Sequence, residues 1–146
     1  MGGRQRRLGT WFFAVAPAVG VLVLAGSGIA AVTKGDRVPQ KLVGCWHRHV
    51  GALPVGTPPG VWEIEISNGG RLDAYTPGST CGPAAGDFSA SVSVVANRLT
   101  IGSVPVCASK GVYSWSVSGN SLTLRATADK ACPARVGLFV GVWKKK

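Results

Sequence analysis

Residues Gly111–Arg135 read GVYSWSVSGNSLTLRATADKACPAR. Side chains in an extended strand alternate between its two faces. Tyr113, Trp115 and Val117 therefore share one face, and Ser114, Ser116 and Ser118 the other. Ser118-Gly119-Asn120 is a turn signal, and Leu122 and Leu124 resume the apolar face beyond it. This is an antiparallel hairpin with its aromatic and leucine face inward, where each cross-strand pair contributes about 0.2–1 kcal/mol. A short polar connection follows, in which Asp129 and Arg135 bracket Cys132. Asp129 is expected to cap a turn there. Arg135 is expected to cross the barrel base, pairing with Asp129 or stacking on an aromatic ring, and so to hold the hairpin to a closing strand.

The same period of two recurs on either side. VWEIEIS (61–67) sets Trp62, Ile64 and Ile66 against Glu63 and Glu65, and Asn68-Gly69-Gly70 turns the chain into RLDAYT. Residues 89–95 and 98–104 flank Ala96-Asn97, residues 42–50 read as a first strand, and GLFVGVWK (137–144) reads as a last. Outside residues 11–32 no stretch shows a helical period. Eight strands joined at close spacing predict an all-β antiparallel domain over 42–146, either a closed barrel or a two-sheet sandwich; a barrel also removes the unpaired edges. The segments 51–60 and 79–87 are too rich in proline and glycine to be elements and are expected to form the rim of the barrel mouth.

Ahead of this domain, residues 11–32 (WFFAVAPAVGVLVLAGSGIAAV) are 22 residues without a charge, preceded by Arg4, Arg6 and Arg7. At about 1.5 Å per residue, such a helix just crosses a hydrocarbon core of roughly 30 Å. The reading is a basic cytoplasmic N-terminus (1–10), a transmembrane anchor or signal segment (11–32) and a polar tether (33–41). The C-terminal domain is then extracytoplasmic at a bacterial cell envelope. The alternative is a signal peptide cut after Ala30, with the domain secreted.

Cysteine usage agrees with an oxidising compartment. Cys45, Cys81, Cys107 and Cys132 are even in number, which suggests two disulfides with three pairings open. No CxxC pair supports zinc. Pairing cysteines that flank a continuous hairpin region favours Cys45–Cys81 and Cys107–Cys132. The formal charge is +10, and +7 once residues 1–30, with three arginines and no acids, are set aside. The cations are scattered and no recognition motif accompanies them, so no specific nucleic-acid partner is expected; a polyanion contact through Lys144–Lys146 is a minor alternative.

Residues 111–143 resemble a pattern of small bacterial exported lipocalin-like, or calycin-like, domains. The matching positions are Gly111, Tyr113, Trp115, Gly119, Leu122, Thr123, Leu124, Asp129, Cys132, Arg135 and Trp143. Leu42, Gly44 and Trp46 resemble the Gly-x-Trp signature that opens lipocalin barrels. The resemblance implies an eight-stranded calyx. It also implies that Trp46 packs near the closed end under a basic side chain from a late strand, with Arg135 the first candidate and Lys144 the second. Gly44, Trp46, Tyr113, Asp129, Arg135 and Trp143 are then structural residues.

Little in the chain suggests catalysis. No nucleophile elbow, phosphate loop or metalloprotease helix is present, and the cysteines are better placed in disulfides than as nucleophiles. No enzyme activity, cofactor or metal is expected. His47 and His49 share one strand face and Glu63 and Glu65 another; alternation sets all four on the solvent side, as surface charge pairs rather than a metal site. The leading reading is a membrane-tethered or secreted binding module for a lipid or other small apolar molecule, its pocket lined by some of Trp62, Tyr75, Phe88 and Trp115. The alternative is a non-catalytic envelope interaction module docked to a larger membrane protein complex.

Overall fold

The structure, a computed structural model, describes residues 37–53, 57–129 and 131–146. The strands are β1 (Gly44–Val50), β2 (Gly60–Ile66), β3 (Arg71–Tyr75), β4 (Phe88–Val95), β5 (Arg98–Ile101), β6 (Gly111–Ser118), β7 (Ser121–Ala128) and β8 (Gly141–Lys145). A short helix, α1 (Pro133–Phe139), precedes β8. Each strand pairs antiparallel with the next, and β8 pairs with β1 through Trp46 with Lys145 and His47 with Lys144. The sheet thus closes into a barrel without a free edge.

Alternation fills the interior. Trp46, Ile64, Ile66, Leu72, Leu99, Ile101, Tyr113, Leu122, Leu124 and Trp143 are all fully buried. An eight-stranded barrel is just wide enough for such side chains to occupy its centre. Val38 joins this core, and Leu42 N–H closes a turn on Pro39 O at 2.8 Å, so the packed chain begins ahead of β1.

The two ends of the barrel differ. One carries the tight connections β2–β3, β4–β5 and β6–β7 together with the start of β1. Gly44 there has φ +124°, a backbone that side-chain-bearing residues rarely adopt. Trp46 Nε1–H donates to Leu42 O at 2.9 Å, and Lys145 Nζ lies 5.4 Å from the centre of the Trp46 ring. The basic partner of Trp46 is thus Lys145, not Arg135 or Lys144. Lys144 points outward and bonds Ser121 Oγ at 2.8 Å, while Arg135 lies at the other end.

That other end carries the longer connections β1–β2, β3–β4, β5–β6 and β7–β8. The sequence reading continues a strand through 137–144, whereas the structure winds Pro133–Phe139 into about two helical turns and starts β8 at Gly141. Pro133 sits at the helix start, where a missing N–H costs nothing. Ala134 with Leu138, and Arg135 with Phe139, are buried pairs spaced by four. The β3–β4 connection is not part of the rim. It folds back over the outside of β1–β3: Cys81 is joined to Cys45 on β1, and Cys81 N–H donates to Glu63 on β2 at 2.7 Å.

The expected membrane helix or signal segment ahead of the barrel is corrected. Among the described residues no helix is long and apolar enough to cross a membrane. Helix α1, at about 10 Å, is far short of the roughly 30 Å required. Residues 11–32 themselves lie outside the described residues. The readings that rest on that segment have no support among the described residues: attachment to a cell membrane with an extracytoplasmic domain, secretion after cleavage near Ala30, and docking to an envelope membrane complex.

Candidate functional site: an apolar cleft at the barrel mouth

The cleft starts with two aromatic residues at strand beginnings. Trp62 enters the barrel from the start of β2, and its Nε1–H donates to Pro58 O at 2.9 Å, which fixes the indole plane. Phe88 opens β4 with its ring 6.4 Å from that of Trp62, tilted by 53°. Val104, Pro105 and Val106 of the β5–β6 connection form a second side, and Ala134, Leu138 and Phe139 of α1 form a third. Together with Thr57, Pro58 and Arg135 they enclose about 220 Å³. That is below the roughly 300–1,000 Å³ of a drug-sized site. It exceeds the roughly 150 Å³ cavity known to hold benzene, so it suits a single ring system or a short alkyl chain.

A buried polar network holds α1 over the mouth. Arg135 is 1 % exposed. Its Nε–H and Nη2–H grip the two carboxylate oxygens of Asp129 at 2.7 and 2.5 Å, and Nη1 donates to Gly102 O at 3.2 Å and to Ser109 O. The Tyr113 hydroxyl donates to the same carboxylate. Gly111 lies against the pair: a Cβ there would fall 2.7 Å from Asp129 Cγ and 2.9 Å from Arg135 Nε. Burial alone would raise the Asp129 pKa, but the Arg135 and Tyr113 hydrogen bonds and the guanidinium charge outweigh it and hold the carboxyl below the usual range. The Tyr113 phenol is pushed far up by burial and by its bond to Asp129. None of these groups is poised to exchange a proton near neutral pH. A disulfide between Cys107 and Cys132, with Cα atoms 6.1 Å apart, ties the β5–β6 connection to the start of α1.

The candidate aromatic residues do not converge. Trp62 and Phe88 meet at the cleft. Tyr75 lies on the outer wall beneath the β3–β4 connection, its hydroxyl 3.2 Å from Glu65 Oε2 and 3.3 Å from Ala84 O. Trp115 is inside the barrel with Lys41 Nζ 4.7 Å from its ring centre. Trp143 is internal, and its Nε1–H donates to Phe139 O at 3.0 Å. Val104, Leu138 and Phe139 complete the cleft although the sequence reading did not select them. The spacing by four of Ala134 and Leu138 was the available signal.

The outer-wall histidines and glutamates also divide. His47 faces Glu63 across β1 and β2, but Glu63 is only 7 % exposed rather than on the solvent side. Burial would raise its pKa. The Lys146 ammonium at 2.7 Å and the Cys81 N–H outweigh that and lower it. Among the described residues one grouping brings metal-ligating atom types within 4.8 Å of one another: Cys45, Glu63 and Cys81. Its sulfurs are joined as a disulfide and its carboxylate is bound by Lys146, so it offers no thiolate ligand. No nucleophile, base and orienting group come together among the described residues.

Fold and site define an eight-stranded antiparallel barrel consistent with a lipocalin-like or calycin-like form, with no catalytic cluster evident. Compared with protein-family models, curated proteins and solved structures, the chain matches none of them significantly.

Proposed function

We propose that this barrel is a lipocalin-like, non-catalytic binding module that takes a small apolar molecule in its mouth cleft. The observation that carries the reading is the cleft itself, in which the tilted Trp62–Phe88 pair faces the apolar side of α1 across about 220 Å³. The interior below is filled with side chains, so the ligand sits at the mouth and not in a deep calyx. Arg135 borders the cleft, but its donors are engaged by Asp129 and two carbonyls. It therefore makes a poor partner for a ligand carboxylate, and an uncharged ligand is favoured.

Titration with naphthalene or 1-hexanol, followed by amide and indole NMR shifts, tests this. Expected are saturable shifts at the Trp62 indole N–H, Val104 and Leu138. Val104→Phe, which fills the cleft, is expected to weaken the probe by about tenfold or more. Absence of saturable shifts at the mouth, or equal affinity in the filled variant, overturns the reading.

A further inference from the structure

The two sides of the barrel wall carry opposite chemistry. Among the described residues the acids are Glu63, Glu65, Asp73, Asp87 and Asp129. The first four belong to β2, β3 and the β3–β4 connection, and Asp129 is buried against Arg135. Strands β4 to β8 contain no acid at all. Their outward positions are mostly serine and threonine, interrupted by Arg98, Arg125 and Lys144.

Register places these cations. Arg98 on β5 faces Ser114 on β6, and Ser114 faces Arg125 on β7. Neighbouring strands lie about 4.8 Å apart, so the two arginine backbones are about 10 Å apart across one serine. The next outward row runs Ser116, Thr123, Val142, and the one after it Ser118, Ser121, Lys144. A shallow hollow of about 290 Å³, lined by Asn97, Ser114, Trp115, Ser116, Thr123 and Arg125, lies on this wall. Three cations elsewhere are paired with acids: Arg71 with Asp73, Lys146 with Glu63 and Arg135 with Asp129. Arg98 and Arg125 are exposed and have no acid on their own wall.

We propose that the β5–β8 wall is a docking surface for an acidic glycan, a carbohydrate chain bearing sulfate, phosphate or carboxylate groups. Unbalanced charge on one wall raises the local potential and draws polyanions. The planar guanidinium fork suits bidentate contact with such oxyanions. The hydroxyls and the Asn97 amide between the arginines supply the paired donors and acceptors that sugar hydroxyls require. Single-stranded nucleic acid is the less suited polyanion, because its bases stack on exposed aromatic rings, whereas Trp115, the aromatic residue bordering the hollow, points inward and is buried.

Heparin, a sulfated glycan, is the probe, and calorimetry on the full chain at 50 and 150 mM salt is the measurement. The expected result is binding that weakens with salt, as exposed charge pairs do, and no binding to uncharged dextran. Arg98→Gln/Arg125→Gln is expected to lose about tenfold or more in affinity. Arg71→Gln/Lys110→Gln, which removes the same charge from outside the strands of this wall, is expected to stay within about twofold. Both pairs are exposed, and thermal melting confirms the fold of each variant. The proposal is overturned by any of four results: no heparin binding at 150 mM salt, an unaffected Arg98/Arg125 variant, an equal loss in the charge-matched control, or tighter binding of oligo-dT or anionic phospholipid vesicles than of heparin.

Discussion

Asp129 accepts from the Nε and Nη2 edge of Arg135 and from the Tyr113 hydroxyl, and Gly111 packs against the pair where a side chain would have no room. Removing one partner of a buried ion pair strands the other in low dielectric, at a cost of about 3–5 kcal/mol, whereas an apolar replacement of both is often tolerated. Arg135→Met is therefore expected to lower unfolding stability by about 3–5 kcal/mol. Asp129→Leu/Arg135→Met is expected to recover a substantial part of it, as measured by urea unfolding. A double variant no more stable than the single would refute this account. At this scale the sequence was informative wherever two residues had to satisfy one another. The Asp129–Arg135 pairing was open to inference from their spacing around Cys132, but not the end of the barrel at which it sits. The partner of Trp46 was not legible. Which of two adjacent lysines turns inward depends on where β8 starts, and that depends on a helix the sequence concealed.

Helix α1 escaped the reading for a physical reason. Seven residues span about two turns, too few for a 3.6-residue period to stand out, and GLFVGVW alternates well enough to pass for strand. The β3–β4 connection was recognisable as irregular from its proline and glycine, but composition does not say over which surface a loop lies. Its attachment to β1 through Cys45–Cys81 turns it into a cover for Glu63 and Tyr75. The two disulfides thus act on different elements. Chain-entropy reasoning for loops of 36 and 25 residues gives each about 3–4 kcal/mol. Cys45→Ser/Cys81→Ser is expected to expose the outer wall of β1–β3 and leave the mouth intact. Cys107→Ser/Cys132→Ser is expected to loosen residues 102–110 and weaken apolar probes. Hydrogen exchange resolved by segment separates the two, and the same protection pattern in both variants would count against the assignment.

Across the whole molecule, the ionisable groups frame a window of stability. Asp129 and Glu63 have folded pKa values below their ordinary ones. Their contribution is present above about pH 4 and is lost as pH falls through the depressed values. Tyr113 is shifted the other way, so its contribution is present below about pH 10 and fades as the pH climbs above that. Melting temperature is expected to be level from about pH 5 to 9 and to fall on both sides. Tyr113→Phe should soften the alkaline fall and keep an acid one; a wild-type profile still flat at pH 11 would contradict this. The all-β barrel was legible at this scale because alternation recurs in strand after strand between turn signals, and closing the sheet leaves no edge. The contrast between its walls was not legible: cations scattered along the chain converge on one wall only once register aligns Arg98, Ser114 and Arg125.

The pairing of β1 with β8 also sets an order on how the molecule can be made. Strands β1 to β7 each find at least one partner in a sequence neighbour, but the second side of β1 is answered only by the last residues of the chain. At about 5–20 residues per second, a ribosome needs about 5–20 s to travel the roughly 100 residues between them. For that interval the nascent polypeptide carries an open strand border, the kind of surface that recruits neighbouring chains. Crowded synthesis of this protein should therefore depend on whatever shields that border until the final lysines emerge.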